Sequence, residues 1–349
     1  MVQGNATSNK DSSAHARQLL DIVNSSWLSQ ATYVAAYLGI PDLLAAGAMS
    51  SEELARATGA HSPSLRRLMR ALVTIDLCRE QGDGLYELTP MGSLLRADVA
   101  DSLRSWALYW GGPLWSIWGN LRHSIMTGEN AGKLAAGCHG FDRLEADPQA
   151  AAVFNRAMVE LTRLDAAAIV RACDFAGAER IVDVGGGYGE LLAAILQAHP
   201  AVGGVLFDQL HAIENAGLHM KAAGVADRCD FVAGNFFESI PSGADAYVLK
   251  SVVHDWNDER SKVILRNCRR AMHARARLLL VERIVPLRLQ ASAADKAIAR
   301  SDLNMLVGLG GQERTEDQYR ELLSATGFRV KAVLGAGPTF SIIEATPSS

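Results

Sequence analysis

The sequence predicts an α/β protein with a parallel, doubly wound sheet towards the carboxyl terminus and a mainly α-helical, winged-helix unit before it. Three observations carry that prediction. From about Arg180, short apolar runs alternate with helical stretches. That alternation marks strands joined by helices, with ligands at the carboxyl ends of the strands. Between Ser50 and Pro90 a helix, a turn, a second helix and a hairpin follow one another. The length of 349 residues favours two domains at ~100–200 residues each. The expected domains are 1–105 and 106–349, with 106–179 a helical bridge.

Taken in order, residues 1 to about 13 are polar and read as a disordered arm. From Ala14 to Leu44 apolar residues recur at helical spacing, Leu19, Leu20, Ile22, Val23 and Trp27 among them. So many apolar side chains near one terminus need a partner surface. Ser50-Ser51-Glu52-Glu53 caps a short helix, and the turn AHSP leads into the helix SLRRLMRALVTIDL. REQGDGLYELTP reads as a hairpin with Gly82-Asp83-Gly84 at its tip. The stretch from Ser93 to about Leu144 is helical and rich in tryptophan. Beyond it, IVDVGG, VGGVLFD, CDFVAGN, AYVLKSVV and RLLLVERIV read as strands buried on both faces. LLAAILQAHP, HAIENAGLHMKAAG and ERSKVILRNCRRAM read as their connecting helices, and FRVKAVLGAGPTFSIIEA as a closing hairpin.

Composition narrows the function class. The net charge is −4, so no global basic excess draws the chain to phosphate backbones or anionic lipid. The winged-helix outline and Arg66, Arg67 and Arg70 raise a DNA-binding alternative. Residues 40–97 nevertheless hold six basic against seven acidic side chains, a poor footprint for nucleic acid. Five widely spaced cysteines without a CxxC argue against a disulfide framework and a structural zinc site. No signal-peptide core and no membrane-length apolar run occur, so a cytoplasmic location is expected.

The loop Gly185-Gly186-Gly187-Tyr188-Gly189 follows the strand Ile181–Val184. Glycines there allow a tight turn and a close backbone approach to a ligand. A dinucleotide would require GxGxxG, and the sixth position is Glu190, whose carboxylate would repel a pyrophosphate. S-adenosylmethionine has no phosphate, and its positive groups suit the nearby Asp183. Asp208 ends the next strand about 20 residues on, where a carboxylate can take both ribose hydroxyls. Asn235 and Phe236 end the third strand, where Asn can bond an adenine and Phe can cover its face. An Asp at a strand end is usually just a helix cap. Loop, Asp208 and Asn235-Phe236 on successive strands are harder to explain as caps.

The fourth strand runs into His254-Asp255-Trp256. A lone histidine is more often structural, but this one ends a central strand. Glu282 lies in the apolar fifth strand, where a buried charge needs a partner. Glu313 in GGQERT is a third candidate. A histidine flanked by two carboxylates makes a usable general base, its tautomer fixed and its protonated form favoured.

IVDVGGGYG, VLFDQ, GNFFESIP, LKSVVHDWND, VERIVP and GGQERT, in that order, resemble the class I, metal-independent O-methyltransferases. That family includes plant caffeate and flavonoid enzymes and bacterial enzymes that decorate antibiotics, quinones and phenazines. The resemblance covers nearly the whole chain. It implies a Rossmann-like sheet, a winged-helix half used for dimerisation, and an acceptor-lining helix at FNRAMVEL. It further implies His254 as general base, supported by Glu282 and Glu313. Gly185, Gly187, Asp208, Asn235, Phe236 and Lys250 would hold S-adenosylmethionine, and Phe154, Met158, Trp256 and Met305 would line a pocket for a small aromatic acceptor. The implied product is S-adenosylhomocysteine and the implied assembly a homodimer. No metal is expected, since the sequence assembles no cluster of acidic ligands. The family carries Asp where this chain has Asn235, whose carbonyl still accepts from the adenine amine. N-methylation of a heterocycle and donor-dependent hydroxylation on the same scaffold are the remaining alternatives.

Overall fold

The computed structural model describes residues 4–137 and 140–348. The chain divides into two compact units, Met1–Pro113 and Leu114–Ser349.

The first unit opens with α1 (Gly4–Tyr37). The expected disordered arm is therefore helical from Gly4 onwards, and residues 1–3 lie outside the described residues. No proline interrupts this stretch, and extending a helix already nucleated downstream avoids the cost of a new nucleus. Gly39, at φ 66°, turns the chain into α2 (Ile40–Leu44). β1 (Met49–Ser50) leads into α3 (Ser51–Thr58). There Ser50 Oγ accepts from the Glu53 backbone N–H while the Glu53 carboxylate accepts from the Ser50 N–H, so the cap expected at Ser50–Glu53 is a reciprocal one. α4 (Ser62–Thr74) follows, then β2 (Cys78–Glu80) and β3 (Leu85–Leu88). β1 joins the hairpin, giving a three-stranded sheet in the order β1-β3-β2. Ile40, Leu54, Leu65, Met69, Leu72 and Tyr86 form its core.

After α5 (Pro90–Ser93), α6 (Arg104–Gly111) returns onto α1. Gln30 Nε2 donates to the Gly111 carbonyl at 3.0 Å and Trp110 Nε1 to Ser29 Oγ at 2.9 Å. A Cβ at Gly111 would lie 2.2 Å from Tyr33. This contact keeps α6 with the first unit, so the division falls after Pro113 rather than after residue 105. Along α1, Leu19, Leu20, Ile22, Val23 and Trp27 stay 58–69% exposed.

The division falls within the first turn of α7 (Pro113–Trp118), and the second unit continues with α8 (Leu121–Thr127), α9 (Ala131–Ala136), α10 (Gly140–Ala146) and the long α11 (Pro148–Ala172). The alternating half is β4 (Arg180–Val184), α12 (Glu190–Ala198), β5 (Gly203–Asp208), α13 (Leu210–Ala222), β6 (Cys229–Ala233), β7 (Ala246–Lys250), α14 (Asp258–Ala271) and β8 (Arg277–Glu282). It closes with α15 (Ala293–Gly308), α16 (Glu316–Ser324), β9 (Phe328–Gly335) and β10 (Ser341–Pro347). The sheet order is β6-β5-β4-β7-β8-β10-β9. The first five strands are parallel, as expected. The closing hairpin joins the same sheet antiparallel, with Ser341 opposite Glu282, so the sheet is mixed. β9 and β10 are joined by a short connection and so pair antiparallel, and the buried, apolar Ile342 and Ile343 place β10 inside the sheet, beside β8. Side chains from α11, α12 and α13 pack on one face and from α14 and α16 on the other. β4 has β5 on one side and β7 on the other, which opens a crevice beyond their carboxyl ends. No described helix is long and apolar enough to cross a membrane.

Candidate active site

The chain leaves β7 through Ser251, whose φ of 54° is left-handed, a conformation uncommon outside glycine. A single 3₁₀ turn, Val253–Asp255, then carries His254 into the interior. Its Nδ1 lies 3.0 Å from Glu313 Oε1 and 3.5 Å from Glu282 Oε2, and its Nε2 lies 3.4 Å from Asp255 Oδ1. Glu282 ends β8 on the face shared by Leu278 and Leu280. Its Oε1 accepts the Val252 and Val253 N–H groups at 3.2 and 2.8 Å. Glu313 stands between α15 and α16. Its Oε1 also accepts from Ser301 Oγ at 2.6 Å, and its own N–H donates to Asp302 Oδ1 at 2.9 Å. Arg283 Nη1 is 3.8 Å from the same Oε1.

Burial opposes a charge on His254, but Glu313, Glu282 and Asp255 outweigh it and lift the imidazole from 6.5 to about 9. Burial also works against the Glu313 charge, yet His254, Ser301 and Arg283 hold that carboxyl below its usual range. Burial and the Glu313 charge push Glu282 up. Burial, then Glu282 and Glu313, push Asp255 to about 7. The histidine and two carboxylates expected to work together do come together: ligand atoms of His254, Glu282 and Glu313 lie within 4.8 Å of one another. A metal there would have to displace the proton that the same carboxylates stabilise on the imidazole.

The glycine loop builds the second half of the site. Gly185, Gly187 and Gly189 have φ of 71°, 60° and 88°, values that favour glycine. A Cβ at Gly185 would lie 2.9 Å from Val252 and 3.7 Å from the Phe236 ring. Asp208 accepts from the Gly187 N–H at 2.7 Å and the Gln209 N–H at 2.6 Å. Asp183 is buried under the loop with Oδ2 unpartnered. Burial and the Asp208 charge push it to about 7. Two carboxylates beside a backbone stripped of Cβ atoms suit a ligand with hydroxyls and positive charge rather than phosphate. Glu190 is not bare: Arg163 grips it at 2.9 and 3.1 Å and His219 Nε2 lies 2.8 Å away.

Asn235 departs from expectation in detail. Its carbonyl accepts from the Phe237 N–H at 3.0 Å and its amide donates to Glu238 at 3.1 Å. Only the second lone pair of that carbonyl is left for an adenine. Lys250 reaches 4.8 Å above the Phe340 ring. Burial, then Arg283, lowers it to about 8.

On the other side, Phe154 and Met158 stand one turn apart on α11, both half-buried. Phe141 bridges Phe154 to Trp256, with ring centroids 6.0 and 5.7 Å away. Trp256 meets the Phe236 and Phe237 rings edge-on at 6.1 and 4.8 Å. Met305 is buried on α15, and its carbonyl accepts the N–H groups of Leu309, Gly310 and Gly311.

Residues 118–329 match the family model of the O-methyltransferase domain, and residues 20–98 match that of the O-methyltransferase dimerisation domain. The chain belongs to the S-adenosylmethionine-dependent O-methyltransferase family. A phenazine O-methyltransferase of Lysobacter antibioticus is 42% identical over 330 residues, covering 94% of this chain and 95% of the relative. The solved mitomycin 7-O-methyltransferase is 36% identical with TM-score 0.90, covering 97% of this chain and all of that one. An O-methyltransferase from neocarzinostatin biosynthesis, solved with S-adenosylmethionine and 2-hydroxy-5-methyl naphthoic acid, is 35% identical with TM-score 0.79, covering 91% and 95%. A phenazine-1-carboxylate N-methyltransferase of Pseudomonas aeruginosa is 32% identical, covering 93% and 96%. The dimerisation-domain match supports a homodimer.

The fold of this O-methyltransferase brings His254, Glu282 and Glu313 into one cluster. It sets Phe236 over Gly185, and Gly187 against Asp208. It joins Phe154 to Trp256 through an aromatic residue the sequence reading missed. Phe141 sits in HGFDRL, where no periodicity marks it. Also missed were Asp255, Ser301 and Asp302 around the histidine. So was Asn155, whose Oδ1 is 3.6 Å from the Cβ position at Gly187. Asp255 adjoins His254 in sequence, and that adjacency was the available signal.

Proposed function

We propose that this O-methyltransferase methylates a hydroxyl on a flat aromatic or heteroaromatic metabolite of the phenol, hydroxyquinone or hydroxyphenazine type, with His254 as general base. The observation that carries the reading is the 3.0 Å contact of His254 Nδ1 with Glu313, which fixes the ring so that Nε2, with Asp255 Oδ1 3.4 Å away, is the nitrogen that takes the proton. Bound S-adenosylmethionine supplies an electrophilic methyl group and leaves as S-adenosylhomocysteine. Gly185, Gly187, Asp208, Asn235, Phe236 and Lys250 hold it. Phe154, Met158, Trp256, Met305 and Phe141 position the acceptor ring. His254 Nε2 takes the hydroxyl proton as the oxygen becomes the nucleophile, and Glu313 and Glu282 stabilise the imidazolium.

A simple phenol titrates near ~10, so transfer to an ordinary histidine costs about 5 kcal/mol. With His254 near 9 that cost falls to about 1 kcal/mol. The histidine is then mostly protonated at neutral pH, so acidic hydroxyls that bind as phenolate against imidazolium are favoured. Positioning of the two reactants supplies much of the remaining rate. The subunits of the homodimer meet through the amino-terminal unit, where contact would cover the apolar row of α1 that one chain leaves exposed. A cytoplasmic location fits four free, buried cysteines; Cys138 lies outside the described residues.

The N-methyltransferase relative favours a second reading, methylation of a ring nitrogen, which needs no base. Incubation with hydroxynaphthoic acids and hydroxyphenazines, followed by S-adenosylhomocysteine detection and mass spectrometry with NMR of the product, decides between them. An O-methyl product, formed equally in EDTA, is expected. An N-methyl product, a hydroxylated product without S-adenosylhomocysteine, or loss of activity in EDTA overturns the proposal.

A further inference from the structure

Arg314 directly follows Glu313 and is 1% exposed. A guanidinium stays charged at every working pH, and its burial is costly without good partners. Its one ion partner among the described residues, Asp258 at 2.9 Å, is itself 57% exposed. An aliphatic side chain would fill the same space without that cost. What the guanidinium adds is its fork of donors. Nη1 donates to the Val253 carbonyl at 3.1 Å and Nη2 to the Trp256 carbonyl at 2.7 Å, the two carbonyls that bracket His254 and Asp255. Ser261 Oγ from α14 lies 3.3 Å from both.

The main chain beside Arg314 holds the same turn. The Gln312 N–H donates to the His254 carbonyl at 2.9 Å. A Cβ at Gly311 would stand 2.0 Å from that oxygen. Residues 311–314 thus form a strap laid against residues 253–256, with Glu313 on it facing the imidazole.

We infer that Arg314 is a positioning residue for methyl transfer: its guanidinium fastens the 253–256 turn to the strap that carries Glu313, and so sets where His254 stands. It acts through His254, and this inference rests on the reading of His254 as base. Lysine cannot replace it, because one ammonium cannot span both carbonyls and Asp258 in a plane.

The test compares Arg314→Lys and Arg314→Ala in the full chain, bound to S-adenosylhomocysteine. The readouts are the His254 imidazole titration by NMR and turnover of 2-hydroxy-5-methyl naphthoic acid per folded molecule. The imidazole titration should fall below about 9 in both variants, with S-adenosylhomocysteine affinity unchanged. Turnover should fall on the order of 10-fold for lysine and 100-fold for alanine, with partial rescue of the alanine variant by millimolar guanidinium. A lower melting temperature with the imidazole titration and turnover left as in the wild type would overturn the inference. If the alanine variant does not fold, the lysine variant decides by the same readouts. His254→Gln separates the two ideas. Full turnover in that variant refutes the base and with it the inference, whereas lost turnover there, with the imidazole titration and turnover of Arg314→Lys as in the wild type, refutes positioning alone.

Discussion

The pH dependence of turnover follows from the surroundings of His254. Carboxylate oxygens at 3.0, 3.4 and 3.5 Å outweigh its burial and raise it from 6.5 to about 9. That shift corresponds to about 3 kcal/mol in favour of the imidazolium. The sign is clear: below about 9 the base is mostly protonated, and its neutral form grows with pH. For an acceptor that titrates above ~10, kcat/KM should rise about tenfold per unit between roughly pH 6 and 8 and level near 9. Glu313→Gln removes the closest charge, so the limb should move to lower pH while maximal turnover falls. The assay is S-adenosylhomocysteine release across pH with two acceptors of different acidity, because a limb that tracks the acceptor belongs to the acceptor. A limb near 6.5 common to both, or a flat profile across the range, would refute the assigned electrostatics.

Other perturbations test separate parts of the account. Gly311→Ala would put a Cβ 2.0 Å from the His254 carbonyl and should lower turnover on the order of 100-fold. Gly308→Ala, with nothing within 4 Å of its Cβ position, serves as the control, and equal turnover in both would count against the strap. Asp208→Asn keeps the shape at the tip of β5 but loses the charge. Calorimetry should show S-adenosylhomocysteine binding weakened on the order of tenfold, and unchanged affinity would remove Asp208 from the donor site. Trp27, 69% exposed on α1, should be covered in the homodimer. Trp27→Glu should therefore shift light scattering towards the monomer mass, and an undiminished dimer would place the interface elsewhere.

Much of this fold was legible because local chemistry and global architecture agree. The alternation of buried strands and helices after Arg180 gave the five parallel strands. Ser50-Ser51-Glu52-Glu53 marked a helix start, which the fold caps reciprocally. What was not legible depends on contacts far apart in sequence. The closing hairpin reads as a hairpin, but nothing local says that β10 pairs with β8. Arg314 looks like any arginine until residues 253–256 fold against it. Phe141 carries no pattern that marks it as the bridge between Phe154 and Trp256. The polar start of α1 reads as an arm because its helix is extended from the apolar residues beyond it. Asn235 shows the limit from the other side: its residue type suggests a carbonyl acceptor, but its loop already uses one lone pair for the Phe237 N–H.

Turnover of His254→Gln alongside S-adenosylhomocysteine binding to the same preparation tests the central claim most directly. Glutamine keeps polarity and approximate size but cannot take the proton. The account predicts unchanged S-adenosylhomocysteine affinity and turnover reduced on the order of 10²–10⁴-fold with an acceptor that binds un-ionised. Wild-type turnover in that variant, with the same acceptor, would contradict it.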